Sequence, residues 1–423
     1  MRIDELTTTN FYGFDHRTFN FHPQFTLLVG DNATGKTSVL KALSVAAGSW
    51  FLGLRGSERS PGIDLYQVRI SAYTHLDVWT FEAQFPSRIE CSGVVMDQRI
   101  RWARELKHAD GRTTTSGAKS ISEVAADAEK QVRAGENVTL PLICSYGTER
   151  LWYEKTRSAG REDTAPARRK PSRLNGYRDC FDFTIQETSL VNWIRDQTTA
   201  SLQLQKDTIA LSLVKRAITA CVENAFSIYY DGRYEGLVVS SATGPQLLSN
   251  LSDGQLILLT LVGDLAKRIA ILNPHLAHEA LKLTPGVVTI DELDLHLHPK
   301  WQRRIIHDLK NTFPSLQFIA TTHSPQLIGE AKPEEIRLLD DGQTTTPPRS
   351  FGVDSSRVLE EVMSTPSRND AVQKLLDRLF RSIDAEDFDR ARSLLSEVEA
   401  QLGSDDPEVV RARSLMTFLQ SNV

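Results

Sequence analysis

Gly30-Asp31-Asn32-Ala33-Thr34-Gly35-Lys36-Thr37 is the stretch that decides how this chain is read. It has the spacing GxxxxGK[ST] and stands between a strand-like run, Phe19 to Val29, and a helical run, VLKALSVAAG, closed by Gly48. Strand, glycine-bearing loop and helix together are the context that a phosphate-binding loop requires. The glycines let the backbone curl until successive N–H groups face an anion, and the helix N-terminus adds partial positive charge. Gly30, Asn32, Gly35, Lys36, Thr37 and Ser38 are therefore the candidate phosphate-contacting residues. Lys36 is expected to neutralise the outer phosphates, and the Thr37 hydroxyl to bind Mg²⁺. The opposing reading is a glycine turn carrying a surface lysine.

Three further elements follow at a distance. Val287-Val-Thr-Ile-Asp291-Glu292 reads as a buried strand with two carboxylates at its C-terminal end, where α/β sheets place ligands. Asp291 is expected to hold Mg²⁺ and Glu292 to act as general base toward a water. On its own, an acidic pair after a strand is equally an exposed loop. Leu251-Ser252-Asp253-Gly254-Gln255 precedes the long apolar run Leu256 to Leu272. Ser252 can cap that helix, and the N–H groups behind it can meet an anion. His323 follows the strand-like LQFIATT, where an imidazole can touch a terminal phosphate or be a structural histidine.

The rest of the chain supplies a frame. Val68 to Arg104 alternates as antiparallel strands do. Ile121 to Ala134 and Leu190 to Gln205 have helical composition, and SIYYD and GLVVS read as strands. PLICSYG reads as a buried strand running into a loop. Val372, Leu375, Leu376, Leu379 and Ile383 form one helical face near the C-terminus. Ala391, Leu394, Leu395, Val398 and Leu402 form another, with Gly403 as its stop signal.

Composition narrows the class. The 423 residues are 40% hydrophobic and 24% charged, which suits one large or two modest cores. No run of eighteen apolar residues occurs, so no membrane span is expected. The N-terminus lacks the pattern of a signal peptide. Cys91, Cys144, Cys180 and Cys221 show no metal spacing and fit reduced thiols in a cytoplasmic protein. Residues 354–423 hold 9 Lys and Arg against 14 Asp and Glu, which accounts for the whole net charge of −5. With no overall basic excess, a general DNA-coating protein is excluded. One local exception is the segment 155–178, with eight basic side chains against two acidic ones. It either lines a groove for DNA or is a solvated loop.

In this order along the chain, the four elements resemble the ABC ATPase heads of the SMC, RecF and OLD group over residues 1–350. GDNATGKT is similar to Walker A, LSDGQ to the ABC signature, VVTIDE to Walker B and TTHSP to the switch-histidine segment. Asp291-Glu-Leu-Asp-Leu-His-Leu-His-Pro299 is similar to a run found in the compact, non-transporter members. Asp294 to His298 would then fall in the D-loop region, whereas His296 and His298 alone would suggest a metal pair lacking a third ligand.

The resemblance implies a fold of α/β class: a P-loop ATPase head with a mixed sheet and an antiparallel β subdomain. A β-rich part is expected at about 65–150, a helical insert at about 151–245 and an acidic helical tail at 354–423. It implies ATP and Mg²⁺ as cofactors, and a homodimer or higher homo-oligomer. In such an assembly Ser252, Gly254 and Gln255 serve the nucleotide of the facing copy, while Glu292 and His323 are catalytic. Asp253 departs from the glycine usual at its position. No glutamine lid is evident; the loop Ser145 to Arg150, with Tyr146 and Arg150, is assigned to it. The tail is too short for the nuclease domain of OLD proteins. The pattern looks most like the ATPase subunit of Septu-type anti-phage systems and their retron-associated versions, which implies a separate HNH-type nuclease partner. The alternative is a RecF-like ATPase that clamps DNA in repair. The tail is then either a docking surface or a solvated cap.

Overall fold

Four short runs without a charged residue, Phe25–Val29 (β3), Leu142–Tyr146 (β8), Gly286–Ile290 (β12) and Leu316–Thr321 (β13), are buried along their whole length. Strands that are apolar on both faces belong in a parallel sheet covered on both sides. In the computed structural model they form such a sheet. It runs β15-β14-β3-β13-β12-β8, where β14 is Ile336–Asp340 and β15 is Gln343–Thr345. Every pair is parallel except β14 with β15. The structure describes residues 1–55, 58–76, 78–148, 172–182, 187–222, 225–340 and 342–421.

The consequence of parallel pairing is positional. The C-terminal ends of β3, β8, β12 and β13 reach the same edge, so Gly30, Gly147, Asp291 and Thr322 leave the sheet together. The helix after β3, Lys36–Gly48 (α1), is buried along most of its length and is held by Trp102, whose indole N–H donates to the Ala46 carbonyl at 2.9 Å.

Alternation in the N-terminal third gives antiparallel strands, as the pattern from Val68 to Arg104 leads one to expect. A four-stranded sheet runs β2-β1-β6-β7, from Arg2–Phe11 (β1), Phe14–Asn20 (β2), Ser87–Val95 (β6) and Gln98–Leu106 (β7). Ile70–His75 (β4) and Val78–Ala83 (β5) pair only with each other. The helix Lys119–Arg133 (α2) follows. Farther along, Glu187–Leu204 (α3) and Ile209–Cys221 (α4) pack around the helix Asp253–Leu272 (α5). A small sheet, β11-β10-β9, from Ser227–Asp231 (β9), Gly236–Ser241 (β10) and Gly244–Leu247 (β11), leads into α5. Pro299–Thr312 (α6) lies in the crossover between the parallel strands β12 and β13.

By its internal contacts the chain divides at 353/354. The second unit, 354–423, holds Ser355–Glu361 (α7), Asp370–Asp384 (α8), Phe388–Leu402 (α9) and Pro407–Ser421 (α10). Its core joins Leu375, Leu376, Leu379 and Ile383 to Ala391, Leu394 and Val398, the faces read from helical spacing, and Val409, Ala412 and Met416 close it. Gly403 ends α9 with φ +91°, a conformation suited to glycine. The four cysteines are free and buried, and no described helix is long and apolar enough to cross a membrane.

Candidate nucleotide site

The phosphate loop is shaped by two glycines that tolerate no side chain. A Cβ on Gly30 would stand 2.4 Å from the Leu339 carbonyl oxygen of β14. Gly35 has φ +94°, and a Cβ there would stand 2.3 Å from Cζ of Phe14. The loop is thus pressed between the parallel sheet and the start of β2. Lys36 opens α1 and turns back over the loop, its Nζ donating to the carbonyls of Gly30 at 2.8 Å and Asp31 at 2.7 Å. Burial lowers the Lys36 pKa, and the carboxylates of Asp291, Asp31 and Glu292 act against that shift. A phosphate would offer the ammonium stronger acceptors than two carbonyls do.

Thr37 connects the loop to the next strand but one. Its hydroxyl donates to Asp291 Oδ2 at 2.9 Å. Asp291 is buried, and its backbone N–H donates to the Tyr146 carbonyl at 2.8 Å. The other carboxylate oxygen accepts from the Thr321 hydroxyl at 2.6 Å, and that same hydroxyl accepts the N–H of Glu292 at 2.7 Å. Glu292 has φ +48°, which is costly for a residue with a Cβ and persists only where neighbours fix it. Here Thr321 does so. One step on, Thr322 donates to Asp294 Oδ1 at 2.5 Å and accepts from the N–H of Ser324.

These groups surround one open cavity of about 220 Å³. Asn32, Gly35, Lys36, Thr37 and Ser38 line it from the loop. Asp291, Glu292, Thr321 and His323 line it from the ends of β12 and β13. Residues 36, 291 and 292, far apart in the chain, therefore meet. Gly30 lies beneath them, as the acceptor for Lys36.

Ser252, Gly254 and Gln255 are not part of that lining. Ser252 caps α5 in a reciprocal box: its Oγ accepts from the Gln255 N–H at 3.4 Å, and Gln255 Oε1 accepts from the Ser252 N–H at 3.2 Å. Ser252 and Asp253 are exposed, whereas Gly254 is buried, where a Cβ would stand 2.4 Å from the His296 carbonyl oxygen. The segment is thus ordered, held against the turn behind Glu292, and presented outward.

One expectation needs correction. Tyr146 is no polar member of a lid: it ends β8, is buried, and donates its hydroxyl to Asp264 Oδ2 at 2.9 Å. Ser145 is likewise buried, bonded to Ser44 and Thr289. The strand runs two residues farther than its Ser and Tyr suggest because α5 supplies a buried carboxylate to receive the phenol. Arg150, the other assigned lid residue, lies outside the described residues. His296 and His298 are both exposed, and His298 Nδ1 accepts from the Lys300 N–H as a helix cap. No group of three potential metal ligands occurs among the described His, Cys, Asp and Glu residues.

Asp264 anchors a buried cluster. Lys267 and Arg268 approach it at 2.7 and 2.6 Å. Burial by itself would raise its pKa, but Arg268 and Lys267 outweigh that and hold the carboxyl well below the usual carboxylate range. Arg268 also donates to the carbonyls of Gly176 and Arg178, and Arg173 donates to that of Leu272. Of the eight basic residues in 155–178, Arg173 and Arg178 are described; the other six lie outside the described residues. Arg173 is spent on the carbonyls of Leu272 at the end of α5 and of Glu136 and Val138 beyond α2, and on the side-chain oxygen of Asn273.

Sequence reasoning missed Thr321, Tyr146 and Asp264. A threonine at a strand end has no special signature, and a buried aspartate four residues before an arginine on a helix reads as an ordinary surface pair.

A phosphate loop after one parallel strand, its threonine hydrogen-bonded to an aspartate at the end of another, defines a P-loop ATPase head of α/β class. The chain belongs to the family described as "AAA domain, putative AbiEii toxin, Type IV TA system", whose model matches residues 68–329, and the model described as "AAA ATPase domain" matches residues 1–49. Among curated relatives, it is 25% identical to the Retron Ec83 probable ATPase of Escherichia coli, over 98% of this chain and 86% of that one. It is 38% identical to the Septu protein PtuA of Bacillus mycoides (strain KBAB4), over 26% of this chain and 15% of that one. Among solved structures, the SMC head domain from Thermotoga maritima aligns with TM-score 0.44 and 16% identity, over 82% of this chain and 99% of that one.

Proposed function

We propose that the chain binds and hydrolyses ATP with Mg²⁺, that two copies enclose the nucleotide, and that this closure regulates a separate effector nuclease in anti-phage defence. The observation that carries the chemical part is the 2.9 Å contact of Thr37 with Asp291. It sets a hydroxyl and a carboxylate side by side next to a loop whose N–H groups and lysine suit phosphates. Two hard oxygens on neighbouring elements fit Mg²⁺, which takes few protein ligands and relies on phosphate oxygens and water for the rest. When bound, the ion supplies charge neutralisation at the transferred phosphoryl group.

The chain's own residues do the remaining work. Lys36 exchanges its two carbonyl partners for β- and γ-phosphate oxygens. Glu292, aimed by Thr321, orients a water in line with the γ-phosphate and takes its proton. His323 meets the γ-phosphate from the end of β13. The exposed Ser252, with Gly254 and Gln255, faces the nucleotide of the second copy, since it stands outside its own chain's cavity. The nuclease partner, of HNH type, and the cytoplasmic location are the parts that the likeness to retron and Septu ATPases supports. Four free, buried cysteines suit a reducing compartment.

The test is Glu292→Gln. It keeps the shape and removes the base, so the variant should bind ATP, turn over at least a hundredfold more slowly and accumulate as an ATP-dependent two-copy species in sedimentation. Turnover equal to wild type removes Glu292 from the role of base.

A further inference from the structure

Nineteen large hydrophobic side chains stand exposed among the described residues, and eight of them fall between Leu65 and Phe81. The concentration has a structural cause. β4 and β5 form a sheet of two strands whose root is closed by Gln84 N–H on the Arg69 carbonyl and is tied to the body through Arg69 N–H to the Asn10 carbonyl and the Arg69 guanidinium to Asp15. Side chains of opposed residues share a face. The register pairs Ile70 with Ala83, Ala72 with Phe81 and Thr74 with Trp79. One face of the hairpin therefore carries Ile70, Ala72, Phe81, Thr74 and Trp79 and has no charged residue. Glu82 pairs with Ser71 and belongs to the other face. Ile70 is 60%, Trp79 63% and Phe81 68% exposed, and Leu76 at the tip is 99% exposed.

An isolated two-stranded hairpin is marginal in water, and an uncovered apolar face on it is an aggregation site. We infer that this face is covered by the same face of a second copy of the chain, in a pairing that needs no nucleotide. Three considerations select that occupant. Lacking charge, the face meets its own image without like-charge repulsion, whereas a nucleic acid or an anionic lipid surface would call for cations that it does not hold. A second copy is present whenever the chain itself is made, which suits a surface that must never stay bare. The area is also sufficient. From the exposures and ordinary side-chain sizes, covering Ile70, Leu76, Trp79 and Phe81 in two copies removes roughly 1,200 Å². Adding Leu65 and Tyr66 at the root brings it to about 1,800 Å², within the range of stable interfaces.

The inference goes beyond the nucleotide reading and does not depend on it. The measurement is the mass of the full chain in solution, at micromolar concentration and without nucleotide, for wild type and for the double variant Trp79→Glu, Phe81→Glu. Wild type should be an assembly of two or more copies, and the variant should fall to half that mass or less. A wild type that is monomeric without nucleotide overturns the inference, as does a variant of unchanged mass. If wild type binds anionic vesicles and the variant loses vesicle binding but not mass, the face belongs to a membrane and the inference is wrong. Should the double variant not fold, Thr74→Cys supplies a second arm, because all four native cysteines are buried. A short thiol cross-linker should then join two chains without nucleotide, and a wholly monomeric product overturns the pairing. ATP-dependent assembly of the hairpin variant in a Glu292→Gln background tests the nucleotide reading separately.

Discussion

Thr321→Val replaces one methyl-sized hydroxyl at a fully buried position and leaves the volume nearly unchanged. Two bonds disappear with it, one to Asp291 Oδ1 at 2.6 Å and one from the Glu292 N–H at 2.7 Å. A neutral hydrogen bond contributes about 1 kcal/mol net and one to a charged group about 1.5–3 kcal/mol, so the substitution should destabilise the fold by about 2.5–4 kcal/mol. Urea unfolding reads that number. The functional effect should be larger than the stability effect suggests. The Glu292 backbone, at φ +48°, is held in a conformation that costs about 1–3 kcal/mol, and without Thr321 the strain is free to relax. A loss of 1.5–3 kcal/mol in aiming the base is about a 10- to 100-fold fall in turnover. Affinity for a fluorescent ATP analogue should stay within about threefold, because Lys36 and the loop N–H groups are untouched. Thr321→Ser, which keeps the hydroxyl, should recover most of the turnover. If turnover of the valine variant falls less than twofold, or if affinity falls in step with turnover, Thr321 does not act by positioning Glu292.

Gly35→Ala should abolish nucleotide affinity while far-ultraviolet circular dichroism is retained, since its Cβ would strike the Phe14 ring at 2.3 Å and φ +94° disfavours any side chain. Ser252→Arg, at an exposed helix cap, should cost about 1 kcal/mol of stability and leave ATP binding by the single chain intact, yet prevent nucleotide-dependent assembly; normal hydrolysis by this variant would dismiss the shared site. Asp264→Asn leaves Lys267 and Arg268 buried beside a neutral group and should destabilise the fold by about 3 kcal/mol at neutral pH. The sign with pH follows from the depressed pKa of Asp264: its contribution is complete above the unfolded carboxyl value near about 4 and fades as pH falls toward the lower folded value. The gap between wild type and variant in urea midpoint should therefore narrow below about pH 4, and a gap independent of pH would show that charge at Asp264 is not what stabilises it.

Much of the head was legible because its information is local. A phosphate loop depends on glycines at fixed offsets, and the parallel strands show as short apolar runs. What escaped depends on residues brought together by folding. The Ser-Tyr-Gly sequence at 145–147 reads as the start of a loop, yet Ser145 and Tyr146 are buried strand residues because Asp264, more than a hundred positions away, receives the phenol. Thr321 escaped for the same reason: its role is set by Asp291 and Glu292, which follow another strand. The hairpin was legible as strands but not as exposed ones, since alternation gives the period of burial and not whether anything covers the apolar side. In the tail, spacing alone recovered the packed faces of α8 and α9, and the short helix α7 had too few turns to show a period.

The missing side chain at Gly254 has a mechanical consequence. With nothing but backbone between them, the start of α5 rides on the His296 carbonyl, four residues beyond the carboxylate of Glu292. A rigid contact transmits displacement without the give that a flexible side chain would introduce. Whatever shifts the turn behind β12 should therefore carry the outward-facing Ser252 with it, and in the proposed two-copy assembly that would gear the floor of one compartment to the roof of the other.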